Sequence, residues 1–193
     1  MKKKPHIVFI YGFISVGKFT VAKELQKITK YRLVHNHMMS DLICNIFNCE
    51  RPWSFTTAKA REWIQYGLTE RIVKANINCI FTDAYSKGKP FKTEINHTIF
   101  IKKIKKRVEK LGGVFCPVYL HCEKKEMLKR LKNKSRKTHG KLRTIKIMKE
   151  LLKTEDYRTP IYFENELVIN TTNTSAKESA KLIKKYFKLN RSR

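Results

Sequence analysis

The segment Gly12-Phe-Ile-Ser-Val-Gly17-Lys18 constrains the fold of this chain more than any other feature, because of what stands on either side of it. Before it runs His6-Ile-Val-Phe-Ile-Tyr11, apolar at consecutive rather than alternating positions, which predicts a strand buried on both faces as in a parallel sheet. After it, from Lys18 to about Lys30, Val21, Ala22, Leu25 and Ile28 recur at helical spacing. A strand, a glycine-bearing turn and an amphipathic helix in this order match GxxxxGK in the structural context that the motif requires.

The chemistry of such a loop follows from its backbone. Gly12 and Gly17 let the chain curl so that successive N–H groups face one anion, and the following helix adds the positive end of its dipole. Gly12, Phe13, Ile14, Ser15, Val16, Gly17, Lys18, Phe19 and Thr20 are the expected nucleotide-binding residues, with Lys18 reaching the β- and γ-phosphate oxygens. A plain turn with an exposed lysine is the competing reading, and the flanking strand and helix argue against it. One position departs from the pattern: Phe19 stands where a Ser or Thr hydroxyl would meet Mg²⁺, and Thr20 follows one residue later. Thr20 is better placed for an α-phosphate.

Further along, periodicity predicts strands at Arg32–His35, Asn78–Asp83, Val114–His121 and Glu166–Asn170, separated by helices. These helices are Met38–Phe47, a long one capped by Thr56 or Thr57, Glu94–Leu111 stopped by Gly112-Gly113, one through Met127, Leu128 and Leu131, Ile145–Lys153, and a last one to about Lys188. The long helix carries Ala60, Trp63, Ile64, Leu68, Ile72 and Val73, predicting an aromatic and aliphatic inner face. Ser175-Ala-Lys-Glu178 reads as a capping box, and Ser86-Lys-Gly-Lys-Pro90 as a mobile loop. Strands alternating with helices of this length give right-handed βαβ units, hence an α/β fold, and 193 residues suit one domain.

Four more residues are candidates for chemistry. Asp83 ends a predicted strand and is the first metal candidate, with capping of the next turn as its alternative. Asp41, in His35-Asn-His37-Met-Met-Ser-Asp41, follows the second strand, where an acceptor enters the C-terminal edge of such a sheet. There a carboxylate can take a hydroxyl proton or merely cap a helix. His35 and His37 have i, i+2 spacing on a segment read as extended, but no third ligand matches them, so they read as pocket or packing residues. Arg130 and Arg136 flank the start of Asn133–Arg143, a polar, basic segment that reads as a mobile lid whose guanidinium groups neutralise a transferring phosphoryl. Lys132, just before the segment, and Lys134, Lys137 and Lys141 within it have lesser claims to the same role.

The net charge of +27 favours polyanionic partners, yet the basic runs lack interleaved aromatics, so only weak, non-specific nucleic-acid binding is expected. Cys44, Cys49, Cys79, Cys116 and Cys122 are an odd set without a CxxC pair, which fits reduced thiols in a cytoplasmic protein. No apolar run is long enough to span a bilayer, so no membrane association is expected.

Taken together, Gly12–Thr20, His35-Asn-His37 with Asp41, Asn133-Lys-Ser-Arg136 with Gly140-Lys-Leu142, and Leu167–Thr172 resemble the small P-loop kinases of the shikimate-kinase-like and adenylate-kinase-like class. The chain looks most similar to AAA-type ATPases of the shikimate-kinase-like kind, which share the lack of a hydroxyl directly after the lysine. Asp41-Leu-Ile also looks like a stretch of chloramphenicol phosphotransferases whose aspartate is taken as the base. The resemblance implies a three-layer P-loop fold with a five-stranded parallel sheet, a site for ATP with Mg²⁺, and a helical lid at about 133–143. It does not imply shikimate as the acceptor. The expectation is an ATP-dependent phosphotransferase for a small hydroxylated acceptor, with Lys18, Asp41, Arg130 and Arg136 catalytic and Asp83 on the metal. The alternatives are a nucleotide or polynucleotide kinase, and a nucleotide-binding regulatory protein with little turnover.

Overall fold

The computed structural model describes residues 4–47, 55–87 (backbone alone at 55–57), 96–133, 136 and 141–192. The five strands are β1 (His6–Gly12), β2 (Arg32–His35), β3 (Cys79–Ala84), β4 (Val114–His121) and β5 (Leu167–Asn170). They form one parallel sheet in the order β2-β3-β1-β4-β5, which places the strand before the glycine loop at its centre. The helices are α1 (Lys18–Thr29), α2 (Asn36–Phe47), α3 (Phe55–Lys74), α4 (His97–Lys110), α5 (Lys124–Arg130), α6 (Ile145–Thr154) and α7 (Ala176–Tyr186).

Consecutive residues of the buried strands feed opposite cores, as the side-chain period of two requires. Val8 and Ile10 of β1 pack with Val21, Ala22 and Leu25 of α1 and Ala180 and Ile183 of α7. Ile7, Phe9 and Tyr11 pack on the other face with Ile72 and Val73 of α3 and Phe100, Ile101, Ile104 and Val108 of α4. Burial of both faces accounts for the unbroken apolar run of β1. The result is a three-layer α/β fold with a five-stranded parallel sheet, consistent with P-loop NTPase architecture.

The capping box forms as expected: Glu178 N donates to Ser175 Oγ at 3.2 Å, and Ser175 N donates to Glu178 Oε2 at 2.9 Å. Several expectations are corrected. Helix α4 begins at His97 rather than Glu94, because the Asn96 side chain accepts from Ile99 N at 3.1 Å and caps it. Helix α3 covers Phe55–Lys74, so Thr56 and Thr57 lie within it rather than capping it. Its inner face near Trp63 is polar: Trp63 is 81% exposed, while Gln65 and Thr69 are fully buried. Helix α2 starts directly after β2, which makes His37 helical and removes the extended i, i+2 geometry read for His35 and His37.

The loop after β3 is tied down where it is described. Ser86 is fully buried and its hydroxyl donates to Glu155 at 2.6 Å, while Lys87 N donates to Asp156 O at 2.8 Å. Two hydrogen bonds to a distant segment override the loop-like composition; the remainder, 88–90, lies outside the described residues. Cys79, Cys116 and Cys122 are buried free thiols and Cys44 is half-buried, whereas Cys49 lies outside the described residues.

Candidate functional site

The loop between β1 and α1 has the backbone its glycines predict. Gly12 has φ 147°, and a Cβ there would stand 2.1 Å from the Leu120 carbonyl oxygen of β4, so no other residue fits without moving the strand. Gly17 has φ 95° and begins α1 in a left-handed conformation. Ser15, between them, is also left-handed at φ 68°, and its buried hydroxyl has no hydrogen-bond partner among the described residues. Strain and an unpaired donor in one loop mark a place where an external acceptor would complete the bonding.

Lys18 curls back across the loop, donating to the Gly12 carbonyl at 2.8 Å and the Phe13 carbonyl at 2.6 Å. Desolvation lowers its pKa to about 7, with the Asp83 carboxylate opposing that shift and the Arg136 guanidinium adding to it. Asp83 is in register with Tyr11 of β1, one residue before Gly12, which fixes it beside the loop. Burial raises its pKa, while Arg61 and Lys18 pull the other way. One Arg61 nitrogen lies 3.8 Å from the Asp83 Oδ1, a charge pair too long for a strong hydrogen bond.

Arg130 closes the other flank. Its Nε donates to Glu126 at 2.8 Å, and its two terminal nitrogens donate to the Thr171 hydroxyl at 3.1 Å and the Thr171 carbonyl at 2.6 Å. The Thr171 hydroxyl also lies 2.8 Å from the Val16 carbonyl and 3.1 Å from that of His121, between which its single proton is shared. The arginine thus abuts the phosphate loop: a Cβ on Gly17 would stand 3.6 Å from it. Arg136 Nε and Nη2 both donate to the Leu142 carbonyl, at 2.9 and 2.8 Å. Neither arginine is an ordinary surface charge, and Arg130 belongs to a braced helix end rather than to a mobile lid. Residues 134, 135 and 137–140 of the lid segment, with Lys134 and Lys137, lie outside the described residues.

Phe19 points away from the loop. Its ring meets His35 edge-on with centroids 4.6 Å apart, and Lys23 and Lys141 stand 5.0 and 5.1 Å from its centroid. Lys141 in turn feels the charge of Asp41, which is half-buried on α2. Phe19 thus packs beside His35, whose ring stands 6.1 Å from that of His37, and Lys141 links this group to Asp41. Thr20 is exposed on the first turn of α1. On the opposite side a cleft of about 340 Å³ adjoins Val16 and is bounded by His121, Glu123, Tyr157 and Asn170.

Sequence reasoning did not single out Thr171, Glu126, Arg61, Gln65 or His97 for the site. Glu126 and Arg130 at i, i+4 are legible as a helical pair, and the i, i+4 pair Arg61 and Gln65 interrupts the apolar stripe of α3. Thr171 carries no such signal, since its contacts span 155 positions to Val16. Among the described residues no group of three or more His, Cys, Asp or Glu is arranged to hold a metal ion, and no helix is long and apolar enough to cross a membrane.

No family model and no curated protein matches the sequence. Among solved structures, a sugar kinase of Janibacter sp. HTCC2649 superposes with a TM-score of 0.63 at 11% identity, covering 97% of this chain and 96% of that one. The APS kinase of Mycobacterium tuberculosis, solved with AMPPNP and APS, gives 0.61 at 14% identity over 97% and 99%. A gluconokinase of Sinorhizobium meliloti 1021 gives 0.60 at 12% identity over 97% and 94%. At these identities the likeness concerns the fold alone, the three-layer α/β arrangement, and it spans nearly the whole of each chain.

Proposed function

We propose that the chain is an ATP-dependent phosphotransferase that moves the γ-phosphoryl group to a small hydroxylated acceptor. The observation that carries this reading is the strained loop Gly12–Lys18 with the unpartnered Ser15 hydroxyl and the enclosed Lys18 ammonium. The backbone N–H groups of the loop and the α1 N-terminus bind the β- and γ-phosphates. The Lys18 ammonium exchanges two carbonyl partners for phosphate oxygens. Arg130 and Arg136 spread positive charge over the group in transfer, so catalysis is mainly positioning and electrostatics.

Asp41 takes the acceptor's hydroxyl proton as the hydroxyl oxygen bonds to the γ-phosphorus and the bond to the β,γ-bridging oxygen breaks, releasing ADP. Magnesium, when bound, neutralises charge on the β- and γ-phosphate oxygens. The donor set fits such an ion only through Asp83, the carboxylate whose charge acts on Lys18, because Phe19 offers no hydroxyl. The ion's remaining partners would be phosphate and water.

An acceptor screen with γ-labelled ATP, run beside a no-acceptor hydrolysis control, tests the reading. Label transferred to a hydroxylated small molecule supports it. ATP binding without transfer to any acceptor would favour a nucleotide-binding protein with little turnover.

A further inference from the structure

Next to Asp83, on the side away from Arg130, helices α3 and α4 bring together polar groups that the protein leaves unsatisfied. Gln65 is fully buried, and among the described residues neither its amide oxygen nor its amide nitrogen has a hydrogen-bond partner. Arg61, one turn earlier on the same helix face, reaches Asp83 with a terminal nitrogen while its own Nε is buried and unpartnered. His97, the first residue of α4, is 5% exposed. Its ring faces the Ala84 carbonyl and feels the charge of Arg61, yet its Nδ1 has no partner. A buried polar group without a partner costs about 1–3 kcal/mol, and native interiors contain few of them. Arg61 stands against Asp83 and acts on His97, and Gln65 lies one turn along α3 from Arg61, so the three share the side of β3 that α3 and α4 cover.

The donor and acceptor pattern identifies what the site would hold. The Arg61 Nε–H donates, and the Gln65 amide offers both a donor and an acceptor. The His97 ring, with its other nitrogen directed at a carbonyl, presents Nδ1 as an acceptor. A hydroxyl can satisfy either kind of group, whereas a carboxylate only accepts and would face two lone pairs. The Arg61 charge, moreover, is already set against Asp83. We propose that Arg61, Gln65 and His97 form the acceptor subsite, and that the acceptor is a neutral, polyhydroxylated molecule of the sugar or alditol type. The proposal rests on the phosphotransferase reading and names the substrate class for it.

The test uses the full chain, γ-labelled ATP with Mg²⁺, and a paired panel: glucose, ribose and glucitol against gluconate, ribonate and glycerol 3-phosphate. Transfer to at least one neutral member is expected at about ten-fold or more above its anionic counterparts, the scale of one or two misplaced hydrogen bonds. Gln65→Leu should raise the KM for that acceptor by about ten-fold while the KM for ATP stays unchanged. The melting temperature should hold or rise, since Leu replaces an unsatisfied amide at similar volume.

An unchanged acceptor KM in folded Gln65→Leu would mean that the amide is a structural group satisfied by buried water, and would overturn the proposal. Preference for the anionic members would overturn it as well. If calorimetry finds ATP bound but no neutral member is phosphorylated, the subsite assignment fails while the nucleotide site stands. If ATP is not bound at all, the phosphotransferase reading fails with it. Should Gln65→Leu not fold, His97→Leu gives the same KM comparison, because its unpartnered nitrogen belongs to the same set.

Discussion

The two flanks of the loop Gly12–Lys18 are built on opposite principles. On the β4 and β5 side, Arg130, Glu126, Thr171 and the Val16 carbonyl satisfy one another, so the loop is braced before any ligand arrives. On the β3 side, Gln65 and His97 are buried and Arg61 is half-buried, each with a buried polar atom unpaired among the described residues. A flank complete in itself suits a ligand part that never varies, such as a polyphosphate. A flank with open hydrogen-bonding capacity suits the part that sets specificity, because a partner lacking the right hydroxyls leaves those groups unpaired.

The largest test of this contrast separates two carboxylates. Asp41→Asn should lower phosphoryl transfer by about 100-fold or more, the usual scale for a lost general base, while nucleotide binding by calorimetry stays as in the wild type. Asp83→Asn should instead flatten the rate dependence on Mg²⁺ concentration. That variant leaves Arg61 buried beside a neutral amide, so its melting curve must be measured in parallel. Transfer at the wild-type rate in Asp41→Asn would reduce Asp41 to a helix residue, and an unchanged Mg²⁺ response in Asp83→Asn would place the ion elsewhere.

Next in size is Lys18→Ala, expected to weaken ATP binding by about 100-fold, in line with removing a charge-assisted bond to a desolvated anion. The fold should survive, since among the described residues the ammonium bonds only to the carbonyls of its own loop. Equal ATP affinity in a folded Lys18→Ala protein would remove the basis for reading Gly12–Thr20 as a nucleotide site.

These two flanks also differ in how far the sequence discloses them. The braced side begins in a local motif: Gly12, Gly17 and Lys18 stand at fixed offsets, and each offset has a backbone reason. The sheet is legible for a similar cause, because strands buried on both faces lose alternation, as β1 does. The β3 side is assembled from α3 and α4, and its residues come from segments far apart in the chain. Trp63 invites an inward placement by its size, yet it is Gln65 that turns inward, and helical periodicity alone cannot weigh a polar site against an apolar core. The bonds of Ser86 and Thr171 are long-range in the same sense, which is why composition suggested a loose loop at one and nothing at the other.

The buried ammonium gives a pH signature confined to the phosphate loop. In the folded, unliganded protein Lys18 is lowered from 10.5 to about 7, so between those values the unfolded chain binds more protons than the folded one. Stability should therefore rise with pH across that window and lose this contribution as pH falls toward 7. Lys18→Met should abolish that part of the slope, which thermal melts of both proteins at matched pH would show. A triphosphate restores the charged form, so its binding should take up a proton above neutrality, measurable as a buffer-dependent heat. Identical slopes for the wild type and Lys18→Met would mean that the ammonium is solvated in the free protein.

The smallest effect is expected at Thr171, where the braced flank can be loosened without touching the anion-binding backbone. Thr171→Val keeps the shape of the buried side chain but removes the hydroxyl that serves the Val16 and His121 carbonyls and accepts from Arg130. The cost should be about 1–3 kcal/mol of folding stability, from a buried hydrogen-bond set losing its shared member. ATP affinity should fall by several-fold, because the loop would no longer be held in its binding shape before the ligand arrives. Acceptor KM should not move, since Thr171 lies on the β5 side. Denaturant unfolding, nucleotide calorimetry and acceptor kinetics on the one variant separate these outcomes. A stability loss with unaltered ATP affinity would mean that the Thr171 bridge supports the fold and not the loop. A change in acceptor KM of the same size would mean that the two flanks are coupled rather than independent.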